Sequence, residues 1–415
     1  MKLFTVAHFI LFSFVWISTA SSCPQETAPQ KSAQPAAATA TSQSPQIAKL
    51  EYRLKLAAGN RSELEKALRT APEEHRKAVF FLISNMGRAD LKTLSADYIL
   101  KEVRLAYEAR ESFPWEDQIS EAMFLNNVLP YANINEKRES WRAELLEICQ
   151  PIVKDCKTTE QAAQAINQQL FKIVKVKYST KRKKADQSPS ESIEQGLASC
   201  TGLSILLIDA CRSVNVPARL VGIPSWTDKR GNHTWVEIWS DGDWHFTGAA
   251  EYNADGLDQA WFTKSASLAD KSSKQHSIYA TSFAKTKTTF PGWSLDWRNP
   301  VFAINVTDRY TANKKLDEPK TKANKDDIVV RVRVWNADKT ARVVVPIEVR
   351  LAEDQSSLGK GKSTGNEADM NDMFETTLKQ NTKYEIRLGA GDTIKTHQFT
   401  TNKSKTQLVE IEMTK

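Results

Sequence analysis

The chain has 415 residues and a formal net charge of +7, from 57 Lys and Arg against 50 Asp and Glu. That length predicts two or three domains, each with enough material for a hydrophobic core. The basic residues are spread along the chain and no nucleic-acid-binding module accompanies them, so we expect no nucleic-acid partner. The charge suits an anionic cell-envelope environment.

Residues 1–22 have the pattern of a secretory signal: Lys2, an apolar run over 3–16, and small residues before a cleavage point. The apolar run is too short to be a stable membrane span. Ala20-Ser-Ser-Cys23 also resembles a bacterial lipobox, so Cys23 is either a lipidated N-terminus or a lone thiol in a linker. We therefore predict an exported protein that is periplasmic, secreted, or attached to the envelope, in which case a lipidated Cys23 would be the anchor.

Residues 23–46 consist mainly of Ala, Pro, Gln, Ser and Thr, a composition typical of a disordered tether. Apolar residues at spacings of three and four then predict a helical domain over 47–157. Its expected helices are 47–56, 61–68, 72–85, 91–110 and 136–149. Cys149 and Cys156 close this region, and either a disulfide or a free pair would explain them.

A further helix is predicted to begin at Cys200. Ser199 is a good N-cap, Pro217 prevents continuation, and apolar residues recur at helical spacing between them. A lone cysteine is most often packed in a core, which explains Cys211 further along, but the polar neighbours of Cys200 indicate the exposed end of the helix. The helix N-terminus favours a negative charge, and therefore a thiolate.

A strand follows at 232–239, where aromatic and β-branched residues are dense. On this strand His233 and Trp235 point to one face, while Val236 and Ile238 point to the other, into the core. His233 is therefore the histidine best placed to act together with Cys200.

Three segments in order carry a resemblance: Ser-Cys-Thr-Gly-Leu-Ser, Asn-Val-Pro-Ala-Arg-Leu-Val-Gly and Asn-His-Thr-Trp-Val-Glu-Ile-Trp. Together they resemble the transglutaminase-like superfamily of papain-type cysteine enzymes, over roughly residues 158–285. The resemblance implies a catalytic domain at 158–315, with a nucleophile helix packed on an antiparallel sheet. It also implies that Cys200 is the nucleophile, that His233 is the general base and acid, and that an Asp on the next strand completes a triad.

The chain departs from the family at this third residue, because Gly248 stands four residues after Trp244, where the family has its Asp. A two-residue Asp-Gly turn sets the hairpin register and would place Ala250 opposite His233. The next acid is Glu251, whose carboxylate would reach the imidazole if a bulge near Gly248 shifted the alternation of side chains. We predict that Glu251 orients His233.

A capping box at 188–191 predicts a short helix ending at Gln195. Gln195 could donate a hydrogen bond to an oxyanion beside Cys200, or it could simply be a surface residue. The basic loop before it, with four Lys and Arg at 181–184, is either solvated or recruits an anionic substrate. No histidine or cysteine cluster has ligand spacing, so we expect no metal and no cofactor.

Residues 316–327 are highly charged and predict a linker, and 328–415 contain short alternating strands with turn signals between them. This pattern predicts a small β-sandwich with an accessory role and no catalytic group of its own. The expected fold class is therefore α+β: a helical region, a transglutaminase-like core and a β-sandwich.

The resemblance implies that a thiolate attacks an amide carbonyl to give a thioester acyl-enzyme, which water or an amine then resolves. We expect a peptidase or amidase acting on a protein or peptide substrate, rather than a crosslinking transamidase. The alternative is a catalytically silent binding scaffold of the envelope, in which Gly248 marks the decay of the site. Nothing in the sequence indicates the oligomeric state.

Overall fold

A computed structural model describes residues 45–292, 299–312, 326–389 and 394–413, apart from the side chain of Pro45. The predicted signal segment 1–22 lies outside the described residues. So do the tether 23–46 and the linker 316–327, apart from the last two residues of each. No helix in the described ranges is both long enough and apolar enough to cross a membrane.

Seven helices form the N-terminal region: α1 Pro45–Leu56, α2 Arg61–Thr70, α3 Arg76–Asn85, α4 Arg88–Thr93, α5 Ala96–Ser112, α6 Glu121–Asn127 and α7 Arg142–Val153. The single helix expected over 91–110 is divided into α4 and α5. The division falls at Leu94, which is extended, and at Ser95, whose side chain caps α5 by accepting a hydrogen bond from the Tyr98 amide. The short helix α6 was not predicted.

The next elements lead to the nucleophile: α8 Thr159–Ile173, β1 Lys177–Tyr178, α9 Pro189–Gln195, β2 Leu197–Ala198 and α10 Cys200–Ser213. The predicted capping box of α9 is present at Ser188 and Glu191. β1 pairs in parallel with β2, and this register places Tyr178 beside Ala198, two residues before Cys200.

A six-stranded antiparallel sheet lies against α10, in the order β5-β4-β3-β6-β8-β7. Its strands are β3 Ala218–Ile223, β4 His233–Ser240, β5 Asp243–Thr247, β6 Tyr279–Thr281, β7 Thr288–Thr289 and β8 Phe302–Asn305. Two short helices accompany it, α11 Thr263–Ser267 and α12 Thr307–Thr311. Ser240 pairs with Asp243, as the Asp-Gly turn predicts.

One hydrophobic cluster runs from Leu54 to Ala303 and joins the N-terminal helices, α10 and one face of the sheet. A second cluster, which includes Trp226, Trp235 and Phe262, covers the other face. Because a large apolar side chain contributes about 1.5–3 kcal/mol when it is buried, this shared core binds the helical region firmly to the sheet. The helix that begins at Cys200 is thereby held on both sides.

The C-terminal strands are β9 Asp327–Trp335, β10 Pro346–Leu351, β11 Ser357–Lys362, β12 Phe374–Lys379, β13 Lys383–Leu388, β14 Lys395–Thr400 and β15 Thr406–Glu412. They form two sheets, β11-β10-β13-β14 and β12-β9-β15, around a third hydrophobic cluster. Pairing is antiparallel except between β15 and β9. The α+β class, with its transglutaminase-like core and C-terminal strands, is confirmed.

Candidate active site

Cys200 is the first residue of α10, and its surroundings fix the start of that helix. The Ser199 hydroxyl accepts hydrogen bonds from the amides of Thr201 and Gly202, each at 3.1 Å, and donates to the Ala185 carbonyl at 2.5 Å. These bonds satisfy two of the amides that a helix N-terminus leaves unpaired. Cys200 is partly exposed there, as expected.

His233 is the first residue of β4 and pairs with Ile223 of β3. The Thr201 and Thr234 hydroxyls lie 3.0 Å apart and connect α10 to β4 directly beside the two functional side chains. The Cys200 sulfur, a ring nitrogen of His233 and a carboxylate oxygen of Asp369 all lie within 4.8 Å of one another. The structure therefore brings together the cysteine and the histidine singled out from the sequence.

Four aromatic rings surround the imidazole of His233. The ring centroids of Trp226, Trp235, Trp261 and Phe262 lie 6.0, 5.8, 4.8 and 4.9 Å from that of His233, which is only 1% exposed. Aromatic faces attract a cation. The pocket is therefore largely apolar but tolerates a positive charge on the imidazole.

Asp369 is the site residue that sequence reasoning missed. It lies between β11 and β12 of the sandwich, is 3% exposed, and places Oδ2 3.6 Å from His233 Nδ1. Its Oδ1 accepts a hydrogen bond from the Asn371 amide at 2.8 Å. No motif surrounds this residue in the sequence, and the prediction of a merely accessory sandwich gave no reason to search there.

The charges in this cluster are coupled. Burial disfavours the imidazolium, but Asp369 and Cys200 outweigh burial and raise the pKa of His233 to about 10. Burial also opposes ionisation of Asp369, yet the positive charge of His233 holds the pKa of that carboxyl below its usual value. Near pH 7 the structure thus favours an imidazolium paired with a carboxylate.

Glu251 does not make the predicted hydrogen bond to His233. β5 ends at Thr247, so the strand ladder stops before it reaches His233, and the chain turns at Ala250, where φ is 64°. Glu251 Oε2 instead accepts a hydrogen bond from Trp261 Nε1 at 3.0 Å. Among the described residues, neither ring nitrogen of His233 has a partner that meets hydrogen-bond geometry.

The Glu251 carboxyl nevertheless occupies the space that a side chain at Gly248 would fill. A Cβ built on Gly248 would lie 1.9 Å from Glu251 Oε2 and 2.7 Å from its Cδ. Burial raises the pKa of Glu251 to about 7, although the charge of His233 and the Trp261 N–H both limit the rise. Glu251 therefore stands close to the position of the missing family acid, but bonded to a different partner.

Gln195 does not face Cys200. Its Oε1 accepts hydrogen bonds from the Lys183 amide at 3.0 Å and from Gln187 Nε2 at 3.2 Å, and its Nε2 donates to the Lys181 carbonyl at 3.4 Å. The left-handed Gly196 that follows it, with φ 67°, reverses the chain so that Gln195 faces the basic loop. The predicted role in an oxyanion hole is not supported, and Gln195 anchors the loop instead.

The other thiols in the described ranges are separate from this site. Cys149, Cys156 and Cys211 are free, so the structure contains no 149–156 disulfide, and burial raises the pKa of Cys211 well above its usual value. In the described part of the chain, the three donors that could hold a metal ion are those of Cys200, His233 and Asp369.

Comparisons with known proteins agree with this geometry. Residues 147–247 match the family described as the transglutaminase-like superfamily, a range that includes Cys200 and His233 and ends one residue before Gly248. No curated protein matches the chain.

Solved structures also match, with low similarity. A candidate cysteine protease from Cytophaga hutchinsonii is 18% identical over 29% of this chain and 42% of its own, with TM-score 0.25. Red sea bream transglutaminase is 9% identical over 70% and 65%, with TM-score 0.31. A candidate protease from Parabacteroides distasonis is 9% identical over 72% and 54%, with TM-score 0.24. The chain spans less than two thirds of each of these structures.

Proposed function

Residues 147–247 form a transglutaminase-like core, and from this premise we propose that the chain is an exported cysteine enzyme that cleaves amide bonds. The observation that carries the proposal is the approach of the Cys200 sulfur to a ring nitrogen of His233, within 4.8 Å, at the start of a helix. A thiol and an imidazole so placed are the two groups that nucleophilic catalysis requires.

In the first step the Cys200 thiolate attacks the amide carbonyl carbon and a C–S bond forms. The N-terminus of α10, which begins at Cys200, stabilises the oxyanion of the tetrahedral intermediate. His233 as imidazolium then gives its proton to the leaving nitrogen, the C–N bond breaks, and an amine departs. A thioester on Cys200 and a neutral imidazole remain.

In the second step a nucleophile resolves the thioester. Neutral His233 removes a proton from water, the resulting hydroxide attacks the carbonyl carbon, and the C–S bond breaks to release a carboxylic acid. The thiolate and imidazolium are thereby restored. The close enclosure of His233 supports hydrolysis, because water reaches a buried imidazole more easily than a second, bulky amine substrate does.

Selective alkylation tests the enzymatic proposal. Iodoacetamide should modify Cys200 faster than Cys156, a matched control that is also partly exposed, and much faster than the buried Cys211. Tryptic mass spectrometry of a time course measures all three rates in one sample. Equal rates at Cys200 and Cys156 would instead support a silent binding scaffold.

An assay with denatured casein and a fluorescent primary amine distinguishes hydrolysis of the acyl-enzyme from transamidation. Hydrolysis of peptide bonds releases new amino groups, whereas transamidation attaches fluorescence to the protein. We expect the first product to predominate. Predominant incorporation of the amine would reverse the assignment to a peptidase or amidase.

The signal pattern of residues 1–22 supports the exported location, and Cys23 would be the attachment point if the protein is lipidated. Intact-mass measurement of protein expressed in a bacterial host should show a chain that begins within a few residues of Cys23. An added diacylglyceryl mass that disappears in Cys23→Ala would identify the anchor. A chain that retains residues 1–22 would contradict export.

A further inference from the structure

We propose that Asp369, supplied by the C-terminal β-sandwich, is a positioning residue that holds His233 in its charged form beside Cys200. The sandwich is then part of the active site rather than an accessory domain. This inference rests on the proposed function and adds a residue that lies outside the region matching the family.

The loop that presents Asp369 is held rigidly from within. Arg342, which is 4% exposed, donates from Nη1 to the Asp369 carbonyl at 3.0 Å and from Nη2 to the Ala368 carbonyl. The Thr364 hydroxyl closes the loop by donating to the Asp372 carbonyl at 2.6 Å. Because Oδ1 of Asp369 is also bonded to the Asn371 amide, Oδ2 has little freedom to turn away from the imidazole.

The same loop is docked on the segments that carry the catalytic pair. The Met370 amide donates to the hydroxyl of Tyr178, which lies beside the nucleophile helix, at 3.2 Å. Asn371 Nδ2 donates to the carbonyl of Asn232, the residue before His233, at 3.0 Å. The sandwich therefore positions its carboxylate against both sides of the site.

A nearly buried ion pair strengthens this docking. Arg331 of β9 lies 2.7 Å from Asp228, in the turn before β4, and the two side chains are only 9% and 11% exposed. Arg230 of the same turn donates to the Asn371 carbonyl at 3.4 Å. When a nearly buried charge on one surface has its partner on another, a shift between the two surfaces would leave both charges unpaired. Such a pair therefore fixes how the two surfaces align.

In a triad the acid lies on the side of the imidazole opposite to the nucleophile, and Asp369 does not occupy that position. An acid behind the ring would be separated from the sulfur by the full width of the imidazole, whereas an Asp369 oxygen lies within 4.8 Å of both the sulfur and a ring nitrogen. Asp369 therefore approaches His233 from the thiol side. It stabilises the imidazolium electrostatically, while Glu251 stands close to the position of the family acid.

The test is a titration of the His233 ring by ¹H–¹⁵N NMR between pH 5 and 11 in the full chain. In the wild-type protein the midpoint should lie well above the ordinary histidine range. Asp369→Asn keeps the shape and the hydrogen bond from the Asn371 amide but removes the charge, so the midpoint should fall by about 1–3 pH units. Hydrolysis of casein should fall by on the order of 10²-fold or more.

Asp372→Asn is the matched control, because Asp372 lies on the same loop but outside the three-residue cluster. It should move the midpoint much less than Asp369→Asn does. A wild-type midpoint near 6.5, which requires no variant to fold, would overturn the inference, and so would an unchanged midpoint in Asp369→Asn. If Cys200 is alkylated selectively in either case, the proposed function survives without this inference.

Discussion

Replacing His233 by alanine should lower the rate of casein hydrolysis by about 10²–10⁴-fold and should also slow alkylation of Cys200 by iodoacetamide. The imidazole is the only proton carrier that the mechanism uses, and its charge stabilises the thiolate within the 4.8 Å cluster. Both rates should be measured on the same preparation. A loss of hydrolysis alone would indicate lost proton transfer, whereas slower alkylation as well would indicate a less reactive Cys200 thiol.

The matched control is His245→Ala. His245 lies on β5 and its Nδ1 is 2.6 Å from Asp258 Oδ2, so it is a histidine paired with a carboxylate outside the site. This change should leave both rates within about twofold, as expected of a surface ion pair. Because alanine at 233 leaves a space among four aromatic rings, His233→Gln should be measured as well, with thermal unfolding to confirm the fold. Wild-type hydrolysis in either His233 variant would remove His233 from the mechanism.

The positions of Cys200 and His233 could be predicted because each lies at the start of an element that the neighbouring sequence indicates. Ser199 and the apolar spacing after it define the start of α10, and the density of aromatic and β-branched residues defines β4. The Asp-Gly turn fixed the pairing of β4 with β5 by itself. Each of these features depends on residues near one another in the chain.

Asp369 could not be predicted in this way, because only the docking of the sandwich brings it to His233. The loop that carries Asp369 is bonded to Tyr178, Asn232 and Arg342, which lie in three separate parts of the chain, and no sequence pattern relates them. The predicted oxyanion role of Gln195 is not supported for a related reason. The left-handed Gly196 turns the Gln195 side chain toward the basic loop, and no sequence pattern indicates that this loop packs there.

Glu251 is an intermediate case. The sequence correctly identified Gly248 as the departure from the family and Glu251 as the nearest acid, and the structure places this carboxyl in the space beside Gly248. The register argument failed because it assumed that the ladder would continue past Thr247, where the strand ends. The location of the carboxyl was therefore predictable, but its hydrogen bond to Trp261 was not.

Gly248→Asp, which introduces the family acid, should damage the protein while Glu251 is present. The new Cβ would lie 1.9 Å from Glu251 Oε2, so that carboxyl must leave the Trp261 N–H or the strand must shift. Overpacking of this kind costs about 1–3 kcal/mol. A second carboxylate beside one whose pKa burial has already raised to about 7 adds repulsion between like charges. We expect a lower melting temperature and at least a tenfold loss of casein hydrolysis.

The double variant Gly248→Asp/Glu251→Ala removes the clash and leaves a single carboxylate at the position of the family acid. Gly248 does not have a positive φ, so an L side chain is compatible with its backbone. Stability should recover, and hydrolysis should exceed that of Gly248→Ala/Glu251→Ala, the control that carries the same Cβ without the acid. A difference between the two doubles would show that a carboxylate at this position supports His233 together with Asp369. Wild-type stability in Gly248→Asp alone would mean that Glu251 does not occupy this space.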